Sequence, residues 1–412
     1  MAVQKSFIIQ MKILILDVNY DHSSTGKIVA DLKNGLEAHG HTVLTCYGRD
    51  VGLLKSDAVK ISSSLEVYGH AALTRITGLT GCFSPFATRK MIELIDKFKP
   101  DVVHLHELHG YFININGIVN HLKKKKIPTV WTFHCEFMYT GKCGYSYDCE
   151  QWKTECVQCP QLRDYPTSWV FDRTTVMFNE KKQLFKDFDS MQIVTPSHWL
   201  ADRVRQSFLK NKPINVIYNG IDVERTFVPR DVEDLRKKLN IRSKYVIVTI
   251  APDLMSDRKG GNWVLEVAKT LVSTDITFVM VGVEKPEEIL MSNVIAIPRV
   301  NDKNLLAQYY SMGDYFLLTS KKETFSLVCA ESLACGTPII GFNSGAPTEV
   351  APAGYGYFVD YGNVEQLSIA IISCLNNPST FKSRQQCSFY AQSNFSKKTM
   401  IDAHIELYSA IN

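Results

Sequence analysis

From Lys12 onward, short unbroken apolar runs alternate with segments whose apolar positions recur every three or four residues. KILILDV gives way to GKIVADLKNGLEAHG and then to TVLTCYG. Unbroken apolar strands separated by amphipathic helices predict a parallel sheet covered on both faces. A strand is expected around Ala58 to Ser62 and a Gly-interrupted helix after it. ATRKMIELIDKFKP then reads as a helix, DVVHLHEL as a strand, INGIVNHLKKKK as a helix and IPTVWTFH as a strand. DRTTVMFNEKKQLFKDF, SMQIVTPS and HWLADRVRQSFL continue helix, strand, helix, with Ser197 as the cap of the last. INVIYNGID closes this half, and residues 222–244 read as a linker. YVIVTIAP, ITFVMVG and NVIAIP are strands of a second half that repeats the alternation, and from Asn363 the remaining segments read as helical.

One stretch organises the second half: YFLLTSKKETFSLVCAESLACGTPII, Tyr315 to Ile340. It predicts a buried strand over Tyr315 to Ser320, a polar turn, a helix opening near Ser326, a stop at Gly336 and another strand. A helix start aims unpaired amides and a positive dipole end outward, so Thr324, Phe325, Ser326 and Leu327 form a candidate phosphate seat. Glu331 lies roughly 7 to 8 Å further along the axis. That is about the span from a nucleotide diphosphate to its ribose, whose vicinal hydroxyls one carboxylate can accept. Glu323, ahead of the helix, would face whatever the far phosphate carries. The plainer reading makes Glu323 a solvated turn residue and Glu331 a helix-surface residue.

Ligands of such sheets collect at the carboxyl ends of the strands, and several loops there carry candidate chemistry. NYDHSSTGKI places Ser23, Ser24, Thr25 and Gly26 before a helix, where glycine permits close approach. Glu107 and His109 stand where the strand from Asp101 leaves the sheet and are candidates to contact an acceptor. His134 ends its strand at the same edge. In the second half Arg258 and Lys259 precede Gly260 and Gly261, so two cations and helix-start amides converge where a diphosphate could lie. Gly345 and Glu349 mark another strand-to-helix turn.

Glu323 to Glu331 resembles the E-x7-E motif of the retaining nucleotide-sugar glycosyltransferases of family 4, which have the GT-B fold. The Gly26 loop, TPSHWL, the Asn219-Gly220 turn and the Gly345 loop fit the same family, over nearly the whole length. The resemblance implies two Rossmann-like doubly wound domains facing a central cleft. Residues 1–221 would bind the acceptor, with a Cys-rich insert at 135–160; residues 222–394 would bind the donor, and 395–412 would cross back as a final helix. It implies a donor linked to uridine or guanosine diphosphate, and a glycan or lipid-linked glycan acceptor. His134 matches the family's active-site histidine, but Cys135 stands where relatives commonly have Asp. Arg258 replaces an arginine that many relatives carry directly after the first strand, where this chain has Ala251-Pro252. Front-face attack with retention is implied, Glu323 orienting the donor sugar. Neither half carries an Asp-x-Asp pair at a strand end, so neither a metal at the diphosphate nor any other catalytic cofactor is expected; cations and helix dipoles would stabilise the leaving group.

The 412 residues, 45% of them apolar, suffice for two or three domains, and a net charge of +4 is too weak to imply a nucleic-acid partner. No apolar run is long enough to span a membrane. The first residues read as a strand rather than a signal peptide, with Met11 a possible natural start, which points to the cytoplasm. Lys123 to Lys126 suit a helix C-terminus, or else attract anionic lipid at the inner face of the membrane. Eleven cysteines without an export signal point to a reducing compartment. Cys143, Cys149, Cys156 and Cys159 could ligate a structural zinc, though buried free thiols or a redox role fit the spacing too. The insert around them, including GYSYDCEQW, resembles that of a subgroup building bacterial exopolysaccharide, colanic-acid-like polymers and O-antigens. A zinc-stapled nucleic-acid-binding protein, or an epimerase or phosphorylase on the same architecture, is the competing class.

Overall fold

Branched and aromatic residues dominate the strands because their side chains pack well on a pleated, half-buried surface. The computed structural model describes residues 10–49 and 56–412. The expectation of an extension ahead of Met11 falls outside these residues. Among the described residues two sheets form. The first holds β1 (Lys12–Asp17), β2 (Thr42–Tyr47), β3 (Val59–Lys60), β4 (Val102–Leu105), β5 (Thr129–Thr132), β6 (Met191–Thr195) and β7 (Ile214–Val216) in the order β3-β2-β1-β4-β5-β6-β7. The second holds β8 (Tyr245–Ile250), β9 (Ile276–Val281), β10 (Val294–Ile297), β11 (Tyr315–Leu318), β12 (Ile339–Phe342) and β13 (Gly356–Val359) in the order β10-β9-β8-β11-β12-β13. Every pairing is parallel, from Ile13 against both Val43 and Val102 to Ile340 against Tyr357.

Covering on both faces shows in the second sheet. Val246 and Val248 of β8 enter one apolar cluster with Val279 and Val281 of β9, while Ile247, Phe278 and Met280 enter the opposite one. Two-residue alternation thus feeds two cores from one run, which is why these strands read as continuously apolar.

The chain divides into two compact units, residues up to Ile217 with Met400–Asn412, and Tyr218–Thr399. Most elements lie where the pattern predicts, with four corrections. The first helix opens at Ser23, so Ser23 to Gly26 form its first turn and not the loop before it. β4 and β5 end earlier than expected, so His134 lies two residues beyond Thr132 and not within the strand. The stretch read as a linker carries a helix, Glu233–Lys238, anchored by buried Leu235. β13 had no counterpart in the pattern, because it is an edge strand of mixed burial with Tyr357 exposed.

The lysine run behaves as a helix terminus. Lys123 donates to the Leu184 carbonyl at 3.0 Å and Lys125 pairs with Asp96 at 3.5 Å.

Candidate active site

Strand order reverses once in each sheet, between β1 and β4 and between β8 and β11. Connections leave in opposite directions there, and the carboxyl ends of the strands at such a point are where ligands of doubly wound sheets collect.

In the second unit, the loop after β8 is laced to the loop after β11. The Arg258 carbonyl accepts from the Lys321 amide (2.9 Å), and the Lys259 carbonyl accepts from the Thr319 hydroxyl (3.0 Å). Gly260 makes the lacing possible: its φ is +72°, and a Cβ there would sit 2.4 Å from the Thr319 carbonyl oxygen. The two cations are thereby delivered to Glu323. Lys259 Nζ lies 2.5 Å from Glu323 Oε1, and Arg258 Nη1 lies 3.8 Å from the same oxygen. Burial pushes the Glu323 carboxyl up, but Lys259 first and Arg258 second override it and leave the group below its ordinary value.

The backbone of Glu323 is fixed as firmly. Its amide donates to the Ser344 carbonyl at 2.9 Å, and its carbonyl accepts from the Ala346 amide at 3.2 Å. This bridge clamps the turn against the Gly345 loop after β12. Thr324, Phe325 and Ser326 are buried, and Leu327 is half-buried. Ser326 adopts left-handed backbone angles, φ 84° and ψ 81°, and no side chain caps the helix Leu327–Ala334 that follows. Holding a serine there costs about 1 to 3 kcal/mol. One helical turn on, the half-buried Glu331 accepts a 2.8 Å hydrogen bond from the buried Tyr310 hydroxyl. Glu349 of the neighbouring turn accepts from the Tyr218 hydroxyl at 2.8 Å.

In the first unit, the ends of β1, β4 and β5 carry a connected polar group. His104 is buried on the sheet, its Nδ1 2.6 Å from the Tyr408 hydroxyl and its Nε2 2.7 Å from the Thr132 hydroxyl. His106 Nδ1 lies 3.0 Å from His134 Nε2, and their rings stack. Burial holds both imidazoles below the ordinary histidine value, so both are neutral at pH 7. Glu107 Oε2 sits 2.8 Å from His109 Nδ1 and accepts from the Cys135 thiol at 3.3 Å. Burial pushes the Glu107 carboxyl up, yet His109 and the other partners pull it down to about 2. Glu107, His109 and Cys135 bring their ligand atoms within 4.8 Å of one another. Gly26 also belongs to this unit, whereas the other residues expected at the donor lie in the second. A Cβ on Gly26 would press on the Asn19 backbone at 3.1 Å, so glycine lets the first helix close on the loop after β1.

Cys143, Cys149, Cys156 and Cys159 line one pocket, without three of their sulfurs coming within 4.8 Å of one another. All four are free thiols.

Sequence reasoning missed several polar groups. Asp17 closes β1, is fully buried and accepts the Glu107 amide at 3.0 Å. Burial, and then the Glu107 charge, raise its carboxyl to about 7. Its place at the end of an apolar strand was the available signal. Ser344 is buried with its hydroxyl unpartnered, beside the backbone of Glu323. Buried Glu136 takes Arg203 Nε at 2.6 Å, the Tyr139 hydroxyl at 2.8 Å and the Ser146 amide at 2.7 Å. No local pattern links Glu136 to an arginine so distant in sequence.

Comparison with known proteins agrees with this architecture. The family model described as Glycosyltransferase Family 4 matches residues 25–225, and that described as Glycosyl transferases group 1 matches residues 231–394. WcaC of Escherichia coli (strain K12), named for colanic acid biosynthesis and glycosyl transfer, is 28% identical over 275 residues. That alignment covers 65% of this chain and 66%, just under two thirds, of WcaC. Sucrose-phosphate synthase from Thermosynechococcus elongatus superposes with a TM-score of 0.71 at 17% identity, over 98% of this chain and 99% of the other. Anabaena HepE, solved with UDP-glucose, gives 0.67 at 16% identity, over 97% and 100%. Consecutive matches to the two halves, on two parallel sheets in doubly wound order, place this chain in the family 4 glycosyltransferases of GT-B fold.

Proposed function

We propose that the protein transfers a hexose from a nucleoside diphosphate sugar to a glycan or lipid-linked glycan, in the building of a bacterial surface polysaccharide. The observation that carries the reading is the convergence of Arg258, Lys259 and Glu323 at the switch point of the second sheet, with Glu331 one turn into the adjoining helix. Two cations suit a diphosphate, and a carboxylate fixed by Tyr310 suits the ribose hydroxyls. UDP-glucose in HepE and the name of WcaC support the donor class and the polysaccharide setting.

In this reading the second unit holds the donor and the first the acceptor. Residues near 222–394 form the donor part, and the final helix serves the first unit. Departure of the nucleoside diphosphate places negative charge on its terminal oxygens. Arg258, Lys259 and the Thr324 to Leu327 amides would stabilise that charge, work that elsewhere falls to a metal ion. Glu323, held anionic by the same cations, orients the donor sugar. The acceptor hydroxyl attacks the anomeric carbon on the face the diphosphate leaves. A phosphate oxygen takes the proton, and configuration is retained. Neutral His134, steadied by His106, contacts the sugar or phosphate, Gly26 lets the first loop come close to the substrates, and Glu107 and His109 face the acceptor. A lipid-linked acceptor would bring the enzyme to the cytoplasmic face of the membrane. No helix among the described residues is long and apolar enough to cross it.

Thermal-shift screening against uridine and guanosine diphosphate sugars, followed by transfer assays with the stabilising donor, tests the reading. Stabilisation by one nucleotide series is expected, and its absence across both would refute the donor site.

A further inference from the structure

Two lysines, Lys142 in the Cys-rich segment and Lys181 on the helix Thr174–Lys186, are buried where ammonium groups are costly. Lys142 is 2% exposed and Lys181 3%. Lys142 Nζ donates to the carbonyls of Gln161 (2.9 Å), Leu162 (3.1 Å) and Asp164 (2.9 Å). Lys181 Nζ donates to those of Phe137 (2.5 Å) and Thr140 (3.0 Å) and stands over the Phe137 ring. Among the described residues neither makes an ion pair with a carboxylate. Carbonyl dipoles solvate a cation but do not neutralise it, and a buried charge is ordinarily paired.

Asp164 and Asp172 lie within electrostatic reach of Lys142, and Cys135 and Cys82 of Lys181. Stronger than these are Cys159 and Cys143 at Lys142, and Cys143 and Cys156 at Lys181. These three cysteines and Cys149 line a single pocket. The Gly141 amide already donates to Cys156 Sγ at 3.2 Å, the contact a thiolate accepts well. A Cβ on Gly141 would lie 2.8 Å from the Thr174 carbonyl oxygen and 3.0 Å from the Cys156 Cβ, so glycine is what lets that amide reach the sulfur.

We infer that Cys143, Cys149, Cys156 and Cys159 bind one structural zinc ion as four thiolates, and that Lys142 and Lys181 neutralise the complex. Four thiolates around a divalent ion carry a net charge of −2, and the two ammonium groups carry +2. Each thiol gives up its proton to solvent as its sulfur bonds to the metal, with no change in oxidation state. Binding would draw the sulfurs to about 2.3 Å from the ion. The site fastens the loop that begins at Cys135, directly after His134, and takes no part in the transfer reaction.

The test is elemental analysis of full-length protein expressed with zinc and purified without chelator. About one zinc per chain is expected, falling close to zero in Cys156→Ser and unchanged in Cys374→Ser. Fewer than about 0.3 zinc per wild-type chain, or undiminished zinc in Cys156→Ser, would overturn the site. Iron with acid-labile sulfide would overturn it too. Because a serine variant can lose its fold, the wild-type protein is also loaded with cobalt(II). Thiolate-to-cobalt charge-transfer bands and tetrahedral d–d bands are expected, and their absence counts against the site. For the lysines, Lys181→Met should release zinc to a chelator at least about tenfold faster than Lys182→Met, an exposed neighbour. Equal rates would remove charge neutralisation from the proposal.

Discussion

Lys259 and Glu323 meet at 2.5 Å in the second unit, with Arg258 at 3.8 Å from the same carboxylate oxygen. Removing one member of a buried pair leaves the other uncompensated, at a cost of about 3 to 5 kcal/mol. Lys259→Ala should therefore lower both the unfolding midpoint in urea and kcat/KM for the donor, the latter by about 100-fold or more. Glu323→Gln keeps the shape and should lower kcat by a similar factor while changing donor affinity little. Wild-type turnover in both variants would mean that the reaction happens elsewhere.

The Tyr310 hydroxyl fixes Glu331 at 2.8 Å. Glu331→Ala is expected to weaken nucleoside diphosphate binding by about 2 to 3 kcal/mol, through loss of hydrogen bonds to a charged acceptor. Tyr310→Phe leaves the carboxylate in place but unsteadied, and should cost about 1 kcal/mol. Calorimetric titration of both variants reads the order directly. A larger loss in Tyr310→Phe would contradict ribose recognition by Glu331.

His134 is held by His106 at 3.0 Å, and both rings are neutral because burial disfavours the imidazolium. His134→Ala should lower kcat by about 100-fold and leave the donor KM within a few-fold. Neither ring should add an ionisation to the pH–rate profile between about pH 7 and 8. A step there that vanishes in His134→Ala would show the ring changing charge during turnover.

Asp17 gives stability a pH dependence of known sign. In the unfolded chain its carboxyl loses a proton near 3.8, in the folded unit only near 7. The folded state thus holds the extra proton across that window, and stability falls as pH rises through it and levels off above. The full span is at most about 4 kcal/mol. Urea unfolding at pH 4.5 and 7.5 should show a smaller difference for Asp17→Asn than for the wild type. An equal difference would place the titration on another group.

Legibility in the sequence followed the range of the interactions. Continuous apolar runs such as Tyr245 to Ile250 disclosed a two-faced parallel sheet, because a run fed into two cores has no polar face to hide. The spacing of Glu323 and Glu331 was legible because turn and helix geometry set it locally, and Lys259 was legible from its place ahead of a helix start, though not its contact with Glu323. Contacts between distant segments were not legible. Nothing near Glu136 announces Arg203, and nothing near Asp17 announces the Glu107 amide, because each partner arrives from another strand or helix. β13 went unread since an edge strand buries too little to impose alternation.

Tyr408 caps the inner end of the imidazole row at His104, although 304 residues separate the two in sequence. Its helix joins the first unit only from Met400 onward, after all of Tyr218–Thr399 has been made. During synthesis the first unit therefore cannot mature as soon as its strands emerge from the ribosome. It waits, its sheet partly uncovered at His104, until the helix bearing Tyr408 has been made. Truncating that tail would leave a protein with every strand intact and its histidines open to water.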